Sequence, residues 1–300
     1  MGGTVGGRTA RLARRFFDRF EPVHGVTYFT PEARAGLEAL GYRGFWAGYF
    51  AARSAPLGPV PAEVVAAVFY NFAAHRVAKA LPAAWEIAPP AAVLRTRLAT
   101  AVAALHRYGL RDDDESVRTA ADLAARAAVA APVDGRPLFA ANLALDWPEQ
   151  PLARLWHATT LLREHRGDGH VAVLVAEGVS GRECNVLHAA AGRVPREMIM
   201  RSRDYDAAQW AQVCAGLAER GLLDDSGALT AAGAALKQRI EDRTDELALA
   251  ALDALTDDEV ETLFRALTPL TRAVVAAGDV PAVTPMGLSR DDLDDDSAHL

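Results

Sequence analysis

The places where helices can begin constrain this chain more than any other feature of its sequence. Ser180-Gly-Arg-Glu183 and Thr256-Asp-Asp-Glu259 are capping boxes, in which the first side chain and the later glutamate satisfy each other's free backbone amides. Asp206 and Thr230 are N-cap residues that precede apolar residues at helical spacing. Glycines follow several of these stretches, as they do at helix C-termini. The sequence therefore predicts many helices joined by short connections.

The apolar residues favour the same conclusion. Hydrophobic residues make up 51% of the 300 residues, whereas aromatic residues make up only 7%, and alanine is the commonest apolar residue. Alanine has the highest intrinsic helix propensity and lets helices pack closely. A chain of this length can bury a large core. We therefore expect an all-α, mainly helical protein.

Cysteine usage and hydropathy indicate where such a chain resides. Cys184 and Cys214 show no CxxC spacing, so neither a disulfide framework nor a zinc site is expected. The apolar runs are too short to span a membrane, and the glycine-rich start lacks the apolar segment of a signal peptide. We expect a cytoplasmic protein with no membrane partner.

Breaks in helical periodicity divide the chain into five segments. Residues 8–131 predict a helical domain, and residues 132–151, which contain several prolines, predict a connecting loop. Residues 152–250 predict a second domain, and residues 251–278 a C-terminal helix. The acidic residues 279–300 predict a flexible, solvated tail.

The second domain has the clearest order of elements. A first helix is predicted to end at Gly167, and Asp168 to cap the next one. Three further helices follow, and the last of them begins after Asp206. Residues 222–229 then form two short apolar pieces around Asp225-Ser226-Gly227, a turn that is typical of a small β-hairpin.

This order resembles a winged helix-turn-helix domain with a β-hairpin wing. Leu217-Ala-Glu-Arg-Gly-Leu-Leu223 and Gly227-Ala-Leu-Thr230 look like the end of the recognition helix and the wing of MarR-type domains. The whole chain is similar to a group of actinobacterial proteins in which a helical N-terminal domain precedes a MarR-like domain. The stretches that carry this wider likeness are Phe20-Glu-Pro-Val-His-Gly-Val-Thr-Tyr28, Phe69-Tyr-Asn-Phe72 and Leu155-Trp-His-Ala-Thr159. The resemblance implies a fold and, through the MarR-type module, a possible homodimer.

Charge argues against binding to nucleic acid. The chain carries 39 acidic against 32 basic residues, for a net charge of −7. The predicted recognition helix has no central arginine or lysine, and the wing contains Asp224 and Asp225. A basic run before that helix is the counter-argument, although it can equally be an exposed stretch paired with Glu197, Asp204 and Asp206. This run consists of Arg193, Arg196, Arg201 and Arg203.

Two constellations of side chains are candidates for a binding site. His157, Glu164 and His165 recur at helical spacing, and His170 follows, so these histidines are candidate ligands of a metal or haem. The alternative is histidines that satisfy a domain interface. No GxGxxG, GxxxxGK[ST], HExxH or GxSxG motif occurs, and the sequence identifies no cofactor.

The second constellation lies in the helical domain. Aromatic residues are concentrated between Phe16 and Trp85. Among them lie side chains with polar end groups, in pairs at helical spacing. The alternative is an ordinary aromatic core. The residues predicted to line one ligand cavity between the two domains are His24, Tyr28, Trp46, Tyr70, Asn71, His157 and His165.

Three functions fit these observations. The first is a small-molecule-binding protein whose winged helix has lost DNA readout. The second is an enzyme of specialised metabolism that uses histidine and tyrosine for acid–base work, or a metal or haem, in the same pocket. The third is a ligand-responsive transcriptional regulator of the MarR type.

Overall fold

Helices carry almost all of the regular structure in residues 8–284 and 287–300, the part of the chain that the computed structural model describes. The first residues, from which the absence of a signal peptide was inferred, lie outside this part. In the N-terminal half the helices are α1 (Ala10–Phe29), α2 (Pro31–Ala39), α3 (Phe45–Ser54), α4 (Ala62–Phe69), α5 (Ala74–Ala78), α6 (Ala84–Ile87), α7 (Pro90–Arg107), α8 (Glu115–Ala130) and α9 (Pro137–Leu143). They are followed by α10 (Pro151–Ala176), α11 (Gly181–Ala190), α12 (Arg196–Arg203), α13 (Ala207–Glu219), α14 (Ala231–Leu249) and α15 (Asp257–Ala276). The all-α prediction is confirmed.

Four of the predicted helix starts, at Ser180, Asp206, Thr230 and Thr256, are also confirmed. Ser180 and Thr256 each form a complete capping box with the glutamate three residues later. Asp206 forms one with Gln209, and the Thr230 side chain accepts the amide of Gly233. Local hydrogen bonding therefore sets these boundaries, because each cap satisfies amides that the helix itself leaves free.

The first of three hydrophobic cores packs α1, α7, α8, α10 and α15 together. One side of α8 is made of alanines such as Ala120, Ala124 and Ala128, all of them fully buried. Such small side chains let α8 approach α10 and α15 closely. The apolar face of α15, with Leu263 and Phe264, lies against α1 and α8. The apolar face of α15 is thus covered within the chain.

The second core holds the aromatic residues of the N-terminal half. Phe50 of α3 stacks on Phe69 and meets Phe72 edge to face, with ring centroids 6.0 and 5.1 Å apart. Tyr42 is buried beside them and donates its hydroxyl proton to the carbonyl oxygen of Ala84 at 2.9 Å. This core fixes α2 to α6 against α7.

Helix α10 is continuous, so the predicted break at Gly167 and Asp168 is wrong. A glycine inside a helix costs only about 1 kcal/mol, which packing on both sides can outweigh. Gly169 also has a steric role, since a Cβ there would lie 2.6 Å from Nη1 of Arg136, which crosses the helix. Asp168 does cap a helix, but a different one: its carboxylate accepts the amide of Phe139 in the first turn of α9 at 2.9 Å.

The third core belongs to a helix-turn-helix module built from the end of α10 and from α11 to α14. Helices α12 and α13 are joined by a turn in which Asp204 has a left-handed conformation, with φ of 65°. The expected wing is reduced to one antiparallel bridge between Leu223 and Leu229. Asp224 holds this turn by accepting the amides of Ser226 and Ala228.

The acidic end of the chain, predicted to be a solvated tail, lies against α1 in the structure. Arg15 pairs with Asp292 and Asp295, the latter at 2.9 Å. The buried guanidinium of Arg19 donates to the backbone oxygens of the same two residues. Leu293 is also buried there. These contacts provide partners for the side chains of Arg15 and Arg19, which α1 places inside the protein.

Candidate functional site

A cavity of about 990 Å³ lies between the N-terminal helices and the helix-turn-helix module. Side chains from α1, α3 and α4 line one wall, and side chains from α11, α12 and α14 line the other. Helix α10 contributes Arg163, Glu164 and Asp168 between them. Because Phe45 is half exposed and also lines it, the cavity communicates with solvent.

A very close backbone contact joins the two walls. At Gly181, the first residue of α11, a Cβ would lie 2.0 Å from the carbonyl oxygen of Tyr70. Tyr70 has φ of 50° and donates its hydroxyl proton to the carbonyl oxygen of Val179 at 2.7 Å. Asn185 donates to the carbonyl oxygen of Asn71 at 2.8 Å. Only glycine at position 181 allows this approach, so the cavity depends on it.

Aromatic rings form most of the wall on the N-terminal side. Trp46 and Tyr49 come from successive turns of α3, and Phe69 and Phe72 from the end of α4 and the loop after it. Phe72 lies 5.9 Å from Trp46 and 5.7 Å from Tyr49 between ring centroids. Such packed rings form an apolar surface that is held in place before any ligand arrives.

A chain of charged side chains forms the deepest part of the cavity. Arg163 donates to Glu21 at 3.0 Å and to Glu164 at 2.8 Å, and Nε of Arg53 lies 3.5 Å from Glu164. Burial opposes ionisation of Glu164, but Arg163 and Arg53 outweigh it and lower its pKa to about 2. Glu164 is therefore a carboxylate at neutral pH. Its second oxygen, Oε2, is buried without a hydrogen-bond partner among the described residues.

The predicted ligand residues fall into two groups. Tyr28, Trp46, Tyr70 and Asn71 line the cavity, so the structure brings these four together. His24 lies behind Tyr28, where its Nε2 is 2.9 Å from the Tyr28 hydroxyl oxygen and its Nδ1 is 2.9 Å from that of Thr160. Their role in ligand binding stays a prediction.

The charge states of His24 and Tyr28 bear on acid–base chemistry. Burial, and then the neighbouring Arg163, lower the pKa of His24 well below its usual value. Burial raises the pKa of Tyr28 above its usual value. Both groups are neutral at neutral pH, and each already has a hydrogen-bond partner. This arrangement holds the Tyr28 ring in place and does not favour proton transfer by the pair.

His157, His165 and His170 lie in three separate environments. His157 packs edge to face against Trp147, and His165 against Phe139, so neither lines the cavity. His170 does line it, and its Nδ1 lies 2.9 Å from the Thr244 hydroxyl oxygen. Burial lowers the pKa of all three, to about 4, 3 and 4. No group of three or more possible metal ligands occurs within residues 8–284 and 287–300.

Asp168 lies one turn after Glu164, and its pKa is shifted in the opposite direction. Burial raises its pKa to about 7, although the amide of Phe139 partly opposes the change. Two carboxylates with separated pKa values are a known arrangement for acid–base work. Here the position of Asp168 at the N-terminus of α9 accounts for it structurally, since it satisfies a free helix amide.

The outward face of α13 is almost uncharged. Its exposed residues begin at Ala207 and include Gln212, and only Arg220, just after the helix, is basic. Arg220 pairs with Glu183 at 2.5 Å. The exposed wing residues Asp224 and Asp225 add negative charge next to this face. A recognition helix of this composition offers few groups to phosphates or base edges.

The basic run before α13 differs from the paired stretch that the sequence suggested. Arg193, Arg196 and Arg201 are exposed, but Arg203 is buried and lines the cavity. Asp204 pairs with α5 instead of with this run.

A family model described as a helix-turn-helix family matches residues 13–281. The match spans most of the chain, and it therefore covers the N-terminal helices as well as the α12–α13 unit. The chain belongs to this helix-turn-helix family. No curated protein and no solved structure matches it. Within the described residues, no helix has both the length and the hydropathy to cross a membrane.

Sequence reasoning missed Arg53 and Arg203 as cavity residues. Spacing contained a signal for both: Arg53 follows Tyr49 by four residues in α3, and Arg203 follows the buried Ile199 by four residues in α12. Residues four apart share a helix face. Each arginine therefore had to lie on the same side as an inward-facing neighbour.

Proposed function

We propose that this helix-turn-helix protein binds a small organic molecule in the cavity between its N-terminal helices and its helix-turn-helix module. The observation that carries the proposal is the cavity itself, with a volume of about 990 Å³ and a preformed aromatic wall. Ligand pockets commonly measure about 300–1,000 Å³ and combine apolar walls with a few polar groups. Tyr28, Trp46, Tyr70 and Asn71 are the proposed ligand contacts from the N-terminal side.

We further propose that the module does not read DNA in duplex form. The composition of α13 and the wing supports this, because both lack the cations that phosphate binding requires. In this proposal the module serves as one half of the ligand cavity. The protein would act in the cytoplasm.

Occupancy of the cavity can be tested with phenylnaphthylamine, a neutral apolar fluorophore that brightens when it leaves water. We expect one saturable site per chain in the unmodified protein. Ala191→Trp places a large ring on a residue that lines the cavity and is only half-buried, so we expect roughly tenfold weaker binding.

Ala208→Trp is the matched control, because Ala208 is exposed on α13 and does not line the cavity. Circular dichroism should show that both variants keep their helix content. Equal binding by the two variants, or no binding by the unmodified protein, would contradict the proposal.

A ligand-responsive regulator of the MarR type is the second candidate, and the family assignment favours it. The exposed Arg193, Arg196 and Arg201 before α13 could contact phosphates. Such a regulator is expected to be a homodimer, which analytical ultracentrifugation can test. Sequence-specific retention of duplex DNA would make this candidate the leading one.

A further inference from the structure

Arg203 is a buried cation without a carboxylate partner among the described residues. It is 8% exposed, and its Nε has no hydrogen-bond partner within residues 8–284 and 287–300. Its guanidinium stacks on the Phe72 ring at 4.1 Å from the centroid, and its one side-chain hydrogen bond reaches the Ser202 hydroxyl oxygen at 3.4 Å. A buried charge is costly unless it is paired and hydrogen-bonded. An anion at this arginine would offset that cost, and the described part of the chain does not supply one.

The nearest carboxylate in the sequence is held elsewhere. Asp204 is in the left-handed conformation, and its oxygens lie 2.6 Å from Nζ of Lys79 and 3.1 Å from Nε2 of His75. Arg76 lies 3.6 Å from the same carboxylate. All three partners belong to α5 and its C-terminus, outside the cavity wall. The turn thus directs Asp204 away from the cavity and Arg203 into it.

A second guanidinium lies next to Arg203 in the cavity. Arg53 stacks on the Phe69 ring at 4.2 Å, and the rings of Phe69 and Phe72 are 6.2 Å apart. Its Nε lies 3.5 Å from Glu164, and its Nη1 donates to the Tyr49 hydroxyl oxygen at 3.4 Å. Two stacked guanidiniums on neighbouring rings can hold one planar acidic group between them.

The pairing of the charged side chains shows which cation lacks a partner. Arg163 is paired with Glu21 and Glu164, and Arg53 lies beside Glu164, whereas Arg203 has no carboxylate partner among the described residues. The other end of the cavity is occupied by its own ion pairs, in which Glu241 binds Lys237 and Arg14. The unpaired cation among the described residues is therefore Arg203.

We propose that the ligand is an organic monoanion whose acidic group binds Arg203 and Arg53 and whose flat apolar body lies on the aromatic wall. This rests on the proposed function and adds the chemical class of the ligand. Carboxylate and sulfonate share the required chemistry, a planar or compact group with one charge and several acceptor oxygens. The apolar body follows from Trp46 and Tyr49, which lie beside Phe72.

The position of Arg203 also couples the ligand to the module. Arg203 is the last residue of α12, and α13 begins four residues later. An anion bound to Arg203 contacts the helix-turn-helix unit directly. Ligand binding should therefore stabilise the module together with the N-terminal helices.

The test uses two probes that share one ring system and differ by one sulfonate group. Anilinonaphthalene sulfonate is a monoanion, and phenylnaphthylamine is the same ring system without the sulfonate. We expect Arg203→Met to weaken binding of the sulfonate roughly tenfold or more, because a charge-assisted hydrogen bond is lost. Binding of the neutral probe should change less than about twofold.

Two further variants keep the result interpretable. Arg201→Met removes an exposed arginine of the same helix outside the cavity and should change neither probe. Ser202→Asp leaves Arg203 in place but supplies an internal carboxylate, since the Ser202 hydroxyl already contacts Arg203. It should weaken the sulfonate selectively even if Arg203→Met folds poorly.

The possible failures are distinct. If both probes bind and neither Arg203→Met nor Ser202→Asp discriminates between them, the anion site is wrong while the cavity proposal stands. If neither probe binds the unmodified protein, the proposed function itself fails and the anion site with it. Selective loss of the sulfonate in Arg201→Met would also overturn the assignment to Arg203.

Discussion

The inward and outward faces of the helix-turn-helix module differ in charge. The inward face carries Arg203 at the end of α12, buried against Phe72 and without a carboxylate partner among the described residues. The outward face of α13 is made mainly of alanine with Gln212, and its neighbouring wing is acidic. In a DNA-binding module the cations belong on the outward face, where they meet phosphates. Here α13 carries no basic residue, the exposed Arg193, Arg196 and Arg201 lie before it, and Arg203 lies on the inward side.

This difference indicates which face of the module is the better candidate for a functional surface. Buried unpaired charge lowers stability, and Arg203 is the residue of the inward face that carries this cost. An exposed row of alanines carries no such cost and provides no recognition. The comparison therefore supports the proposed function in the cavity, and the following predictions test the two faces in turn.

The largest effect is expected from the ion pairs inside the cavity that the inward face borders. Glu164→Gln removes the carboxylate between Arg163 and Arg53, which leaves buried guanidiniums with less compensation. Breaking such a buried pair costs about 3–5 kcal/mol of unfolding free energy. Urea denaturation would measure the loss, and the thermal midpoint should fall on the order of 10 °C.

Glu38→Gln serves as the control for that variant, because Glu38 forms an exposed ion pair with Arg34 on α2. It should leave the unfolding midpoint unchanged. Glu164→Gln should also increase the affinity for anilinonaphthalene sulfonate, since the cavity gains positive charge. An equal midpoint in both variants would mean that the buried charges are not coupled as the geometry indicates.

A smaller effect is expected where the two walls of the cavity meet. Gly181→Ala places a methyl group against the backbone oxygen of Tyr70, so α11 has to move. Overpacking of this kind costs about 1–3 kcal/mol. Phenylnaphthylamine binding should weaken together with stability, which calorimetry and fluorescence can follow.

Gly216→Ala is the matched control on the outward face. A Cβ at Gly216, inside α13, has no neighbouring atom within 4 Å. Alanine there should stabilise the protein by roughly 0.5–1 kcal/mol because it favours the helix. Destabilisation by Gly216→Ala would show that the outward face is packed against something, and the comparison of the two faces would no longer hold.

The pH dependence of stability tests the opposite pKa shifts of two carboxyl groups on α10, those of Glu164 and Asp168. The folded pKa of Asp168, about 7, lies above its usual value of 3.8. Between these two pH values the folded protein therefore binds more protons than the unfolded chain. The contribution of Asp168 to stability is therefore complete at low pH and decreases as the pH rises from about 4 to about 7.

Asp168→Asn keeps an acceptor oxygen for Phe139 and cannot ionise. Its unfolding free energy relative to the unmodified protein should rise by roughly 2 kcal/mol between about pH 5 and pH 8. Asp18, whose pKa burial raises to about 6, is present in both proteins and cancels in the difference. A constant difference across this range would show that Asp168 is ionised throughout.

Helix starts and the all-α fold could be predicted from the sequence because the interactions are local. A capping box such as Ser180 with Glu183 satisfies amides within four residues, so no distant contact can hide it. The order of helices also predicted the helix-turn-helix module that the family match supports. The aromatic wall was predictable in part, since Trp46 and Tyr70 stand in an aromatic cluster.

The features that could not be predicted depend on distant partners. Asp168 was interpreted as a cap of its own helix, whereas it caps α9, which lies earlier in the chain. For Arg203 the spacing from Ile199 indicated an inward side, but the pairing of the adjacent Asp204 with Lys79 depends on a distant contact. His157 and His165 share a helix with the cavity residues, but Trp147 and Phe139 occupy the space beside them.

The smallest expected effect concerns DNA. We expect no sequence preference for the protein's own upstream region over random duplex, because α13 and the wing together lack the contacts that specificity needs. Specific sites are usually bound about 10³-fold or more tightly than random sequence. Fluorescence anisotropy at low salt would detect a difference far smaller than this. A tenfold preference that disappears when Arg196 and Arg201 are changed to alanine would break the comparison of the two faces. The exposed basic run would then carry a function of its own, and the cavity would become the regulatory site of a DNA-binding protein.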